Sequence, residues 1–197
     1  MGKAPVYLVD FFKESLVDVR KDGYWLESIE EFANARGEAE DNIFLAGIKW
    51  REGRLEIKSR KNIEAHIKGI PGVIERWEKT GYSEVEEKSR KIIEVDKRRR
   101  QRRYVYHKGK IVNTSDAFIQ SNGCAAELTQ LKVYGETFWT FSFEAFGDIE
   151  KQTCSLTDTF FFFLSELDEK DFPGKLTVDS SLSYPEWLCR FIKLLKN

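Results

Sequence analysis

Hydrophobic and polar residues alternate with a period of two through several stretches of this chain, and that alternation predicts strands. In "IKWREGRLEIKSRK", Ile48 to Lys61, a turn at Glu52-Gly53 puts Ile48, Trp50, Leu55 and Ile57 on one face. Lys49, Arg51, Arg54, Glu56, Lys58 and Arg60 then share the other. A second hairpin, "CAAELTQLKVYGETFWTFSFEAFG", predicts strands over 126–133 and 137–146 about a turn at Tyr134-Gly135-Glu136. Its Trp139, Phe141 and Phe143 alternate with Thr140, Ser142 and Glu144, while Glu127 and Thr129 alternate with Leu128 and Gln130. Between the hairpins, "IIEVDKRRRQRRYVYHKGKIV" is β-branched at both ends and reads as one long strand turning near Lys108-Gly109.

Other segments are less regular. "APVYLVDFFKESLVDV" fits a first strand or a short helix, and "GYWLES" a short strand. Residues 28–40 and 83–91 have helical polarity. "NIEAHIKGIPGVIERWEKTGYS" is punctuated by Gly69, Pro71 and Gly72, and reads as a loop or strand end before a short segment. In the tail, "SLTDTFFFFLSELDEKDF" predicts a helix with Ser155 or Thr157 as its N-cap. "SYPEWLCRFIKLLKN" has a helical apolar period behind Ser183. The run Phe160 to Phe163 implies a buried helix or a contact with a second subunit, as in a homodimer. These elements predict one α+β domain over 1–197. Its strands form a tunnel-like antiparallel β-barrel, with helices packed on the outside and 151–197 as a C-terminal helical cover.

Composition narrows the function. A chain that is 41% hydrophobic and 14% aromatic folds rather than staying disordered. Charged residues make up 33% yet cancel to a net −1, so any positive field is local. It is concentrated at 88–103, with nine Lys or Arg against two acids. Cys124, Cys154 and Cys189 lack CxxC spacing, which argues against a disulfide framework or a zinc site and for buried free thiols. His66 and His107 are too few for a His-based metal site. No apolar run approaches ~18 residues and no signal-peptide plan is present, so the expectation is a cytoplasmic protein without a membrane partner. No GxxxxGK[ST], GxGxxG, Ser/His/Asp or Cys/His pattern occurs, and no catalytic residue is assigned.

The five cations of the first hairpin would repel one another unless they meet water, opposing acids or an anion. Facing a low-dielectric lumen they would be costly without such partners. A phosphorylated, polyanionic small molecule suits Arg forks and Lys point charges, with Mg²⁺ on carboxylates balancing the remaining charge. The Arg98–Arg103 run near Tyr104 and Tyr106 offers a different reading, a nucleic-acid or protein-binding module. On a strand, however, Arg98, Arg100 and Arg102 face one way and Arg99 and Arg103 the other, which also suits an edge strand guarded by charge.

Over roughly residues 41–147 the order of pieces resembles the CYTH domain, the triphosphate tunnel metalloenzyme fold. In that family an eight-stranded antiparallel tunnel binds triphosphate through inward Lys and Arg, and glutamates hold a divalent metal. Members include tripolyphosphatases, thiamine triphosphatases and class IV adenylyl cyclases. "IKWREGRLEIK" is similar to its basic strand pair, which implies Lys49, Arg51 and Lys58 as phosphate ligands, with Arg54 and Arg60 on the same face. "VDKRRRQRRY" is similar to its later basic strand, implying Lys97 and Arg99. "ELTQLKVYGETFWTFSFEAFG" is similar to its acidic hairpin, implying Glu127, Ser142 and Glu144. The N-terminal ExExK strand has no counterpart before Asp41; Asp18-Val19-Arg20 is a poor substitute, so Glu56 would join Glu127 and Glu144 around Mg²⁺. The resemblance implies Mg²⁺-dependent triphosphate hydrolysis, or an anion bound without being cut.

Overall fold

A computed structural model of the chain describes residues 4–25, 46–51, 54–64, 67–82, 92–114, 122–167 and 178–196. Helix α1 (Val6–Phe11) precedes strands β1 (Leu16–Trp25), β2 (Ala46–Arg51), β3 (Arg54–Glu64) and β4 (Ile74–Tyr82). Strands β5 (Ile92–His107), β6 (Lys110–Thr114), β7 (Gly123–Val133) and β8 (Glu136–Phe146) follow, then helices α2 (Ile149–Glu166) and α3 (Tyr184–Lys196). The expected helical stretches 28–40 and 83–91, the Glu52-Gly53 turn and His66 lie outside the described residues.

The strands are hydrogen-bonded in the order β4-β3-β2-β1-β5-β7-β8, with β6 on β5. Every pair whose register is defined is antiparallel. The expected closed barrel is corrected here: among the described residues the hydrogen-bonded path has two ends, β4 and β8. The chain divides into two compact units, Met1–Arg20 with Asp96–Gly174, and Lys21–Val95 with Lys175–Asn197.

In the first unit, β7 and β8 pair from Gly123↔Phe146 to Val133↔Glu136. Tyr134 and Gly135 connect them with φ of 49° and 84°, the two left-handed residues of a tight hairpin turn. Lys108 and Gly109 repeat the device between β5 and β6, at 49° and 76°. The register puts Ala126, Leu128 and Gln130 opposite Phe143, Phe141 and Trp139. Fully buried Phe163 of α2 packs on this aromatic face, its ring centroid 5.2 Å from Phe141 and 5.4 Å from Phe143. Leu8 and Phe12 near α1 and Tyr104 of β5 complete the core. Phe160 is buried too, whereas Phe161 is 44% exposed.

Helix α2 begins at Ile149, not at the expected Ser155 or Thr157 cap. Ser155 is buried, and Thr157 Oγ1 donates to the Thr153 carbonyl at 2.9 Å, a bond made inside a helix rather than at its start. The actual boundary is Gly147, whose φ of 97° ends β8. Asp148 follows as the N-cap residue, its backbone N–H donating to Asn122 Oδ1 at 2.6 Å.

In the second unit, β2 and β3 pair with Ile48↔Ile57, Trp50↔Leu55 and Arg51↔Arg54. The faces are those the alternation predicted. The short segment expected after the Gly69–Gly72 loop or strand end is strand β4, pairing with β3 from Leu55↔Tyr82 to Glu64↔Ile74 across an irregularity between Arg60 and Asn62. Ser183 precedes α3 and makes half of a capping box: its N–H and Oγ both donate to Glu186 Oε2 at 3.0 Å. Leu188, Cys189, Phe191 and Ile192 form the buried side of α3. Gly47, on the Lys49 face by parity, permits a close approach of this helix. A Cβ there would lie 2.8 Å from Pro185 Cγ.

Candidate anion-binding face

The charged face of the second unit is built by register. Directly opposed residues of neighbouring strands share a face, so Tyr24↔Lys49, Lys49↔Glu56, Lys58↔Lys79 and Arg60↔Trp77 define one continuous row-by-row surface. Among the described side chains it carries Lys49, Arg51, Arg54, Lys58, Arg60 and Lys79, six cations, against Asp22, Glu56 and Glu75, three carboxylates. Two opposed pairs, Arg51↔Arg54 and Lys58↔Lys79, have like charge. Such pairs destabilise a sheet unless an anion lies between or above them.

The carboxylates are placed among these cations. Lys49, 8% exposed, has its Nζ 3.0 Å from Glu56 Oε2 and 3.5 Å from Oδ2 of fully buried Asp22. Lys79 Nζ reaches the other oxygen, Glu56 Oε1, at 2.7 Å, with its side chain half exposed. Arg60 Nη1 donates to Glu75 Oε1 at 2.8 Å, and Trp77 Nε1 donates to Glu75 Oε2 at 2.9 Å. Burial pushes the Glu56 carboxyl up, but the hydrogen bonds and charges of Lys79 and Lys49 outweigh it and hold the group at about 2. Arg54 is exposed, and Arg51 and Lys58 are partly buried.

The first unit carries a second ionic group on the face opposite its aromatic core. Arg99 of β5 stands opposite Thr129, and Gln101 opposite Glu127. Glu127 Oε2 accepts from Arg99 Nε at 2.9 Å, Arg99 Nη2 at 2.5 Å and Gln101 Nε2 at 2.7 Å, while Thr129 Oγ1 donates to Oε1 at 2.5 Å. Arg99 Nη1 also donates to Asp18 Oδ2 at 2.9 Å. Burial again raises the Glu127 carboxyl, and Arg99, with hydrogen bonds from Thr129 and Gln101, more than reverses this, so its pKa lies below the usual carboxylate range. Lys97, 2% exposed, lies opposite Leu131 on the Arg99 face. Glu144 is exposed, opposite Ala125.

The carboxylates do not make a metal site as they stand. Among the described residues no group of three His, Cys, Asp or Glu side chains is placed to hold a metal ion. Both oxygens of Glu56 and both of Glu127 already accept from cations or hydroxyl and amide donors. A divalent ion would have to displace those donors, so Glu56 and Glu127 do not fit Mg²⁺ in this arrangement.

The arginine run is likewise turned to internal use. Arg102 Nη2 donates to the Phe11 carbonyl at 2.6 Å, and its guanidinium lies 3.9 Å over the Phe11 ring. Arg100 Nη1 reaches the Val9 carbonyl at 3.4 Å, and the Arg103 guanidinium lies 3.9 Å over the Phe146 ring. Cys124 and Cys189 are buried free thiols as expected, but Cys154 is exposed, its Sγ 3.3 Å from Asp158 Oδ2. Among the described residues no helix is long and apolar enough to cross a membrane.

Comparison with protein-family models, curated proteins and solved structures finds no match.

Sequence reasoning therefore brought Lys49, Arg51, Arg54, Lys58 and Arg60 onto one face, and Lys97 and Arg99 onto another stretch of strand. It missed Asp22, Glu75 and Lys79 of the first group, and Asp18, Gln101 and Thr129 as partners in the second. The period-two parity of Glu75, Trp77 and Lys79 was the available signal, obscured because Gly69, Pro71 and Gly72 mark a loop or strand end and leave only a short segment of undefined type after it.

Proposed function

We propose that the β2–β4 face binds a polyanionic, phosphorylated small molecule. The observation that carries this reading is the register, which sets Arg51 directly opposite Arg54 and Lys58 directly opposite Lys79 on one face. A sheet surface that only needed solubility would alternate its signs. Placing like charges opposite one another is tolerable when an anion of several charges offsets them, and a polyphosphate carries several charges that Arg forks and Lys point charges recognise. The resemblance of "IKWREGRLEIK" to the basic strand pair of triphosphate tunnel enzymes supports the same ligand class. No metal-assisted hydrolytic step is included, since Glu56 and Glu127 are occupied by cations.

The nucleic-acid reading has less support, because Arg99, Arg100 and Arg102 are engaged with Glu127, Val9 and Phe11 inside their own unit. Isothermal titration with tripolyphosphate tests the proposal. Arg51→Ala and Lys58→Ala should each weaken binding about 10-fold, the effect of losing one charge-assisted hydrogen bond. Absence of any binding heat, with or without Mg²⁺, would falsify it.

A further inference from the structure

Glu56 is shared between two lysines of the cationic face, and its two lysines differ. Lys49 is almost buried and has a second acid, Asp22, 3.5 Å away and fully buried. Lys79 lies at the accessible margin, half exposed, directly across from Lys58. Releasing Glu56 from Lys49 therefore does not strip that lysine of compensation. Releasing it from Lys79 makes available a cation already positioned beside Lys58.

We infer that Glu56 is an internal counter-anion rather than a metal ligand: it occupies Lys79 and Lys49 in the ligand-free protein, and a metal-free polyphosphate takes its place at Lys79. The inference rests on the anion-binding reading above and specifies the ligand species. Chelating the polyphosphate with Mg²⁺ lowers the negative charge that Lys58 and Lys79 meet, and brings a further cation beside them. With both oxygens of Glu56 and both of Glu75 already held by Lys, Arg or Trp donors, Mg²⁺ opposes binding instead of assisting it.

The test is titration of tripolyphosphate into the whole chain, once with chelator and once with excess Mg²⁺, for the wild type and Glu56→Gln. Glutamine keeps the size of the side chain and removes the competing charge. The expected results are binding about 3- to 10-fold tighter in Glu56→Gln without metal, and weaker binding with Mg²⁺ in both proteins. Binding that needs Mg²⁺, or that Glu56→Gln weakens, overturns the counter-anion role while leaving an anion site intact. No binding under either condition instead removes the anion site itself, and this inference with it. The Mg²⁺ comparison on the wild type stands alone if the variant does not fold.

Discussion

At the scale of single residues, the most committed group is Glu127. It is 8% exposed and accepts from three side chains, of which Arg99 is the only cation among its described hydrogen-bond donors. Removing one partner of a shielded ion pair leaves the other charge uncompensated, which costs more than the intact pair contributes. Arg99→Ala should therefore lower unfolding stability by about 3 kcal/mol. Glu127→Gln, which retains shape and some hydrogen bonding, should cost less in relation to the charge it removes from Arg99, since Asp18 stays 2.9 Å away. Urea denaturation of both variants measures this; a loss of under about 0.5 kcal/mol in Arg99→Ala would place the pair among solvent-screened surface bridges. The parity of Arg99 and of Glu127 was legible in the sequence, as was the opposition of Glu127 to the aromatic face. Their pairing was not, because 28 positions separate them and only the β5–β7 register brings them together.

At the scale of elements, α1 shows what local pattern leaves undecided. Six residues are too few for a helix to stand alone in water, so "VYLVDF" takes its conformation from what it docks on. Leu8 and, just past its end, Phe12 are buried beside Phe163, and Arg102 and Arg100 accept the task of satisfying the Phe11 and Val9 carbonyls. Arg102→Ala should loosen α1 selectively. The amides of Leu8 to Phe12 should exchange with solvent at least about 10-fold faster, with global stability falling by about 1–2 kcal/mol. Uniform exchange across β5, β7 and β8 without a change at α1 would count against the clamp. The β7–β8 hairpin was legible because alternation and left-handed turn residues act over a few positions. The start of α2 was obscured because Ser155 and Thr157 resemble caps, whereas the true boundary is a glycine in a left-handed conformation followed by Asp148.

At the scale of the whole molecule, a net charge of −1 conceals carboxylates whose role is to hold cations in place. Two of them, Glu56 and Glu127, have folded-state acidities strengthened by their lysine and arginine partners. The unfolded chain, with Glu near 4.5, takes up protons first as pH falls. The stabilisation from Glu56 is thus complete above pH 4.5, declines through the interval below it, and is gone once pH passes about 2. Glu127 acts in the same direction. Unfolding midpoints in urea should accordingly be insensitive to these two groups near neutrality and fall steeply on acidification below 4.5. Glu56→Gln, with no carboxyl to protonate, should show a shallower fall over that interval than the wild type. If the two proteins lose stability in parallel between 4.5 and about 2, Lys49 and Lys79 do not hold Glu56 in solution, and the cationic face must be balanced by some other group.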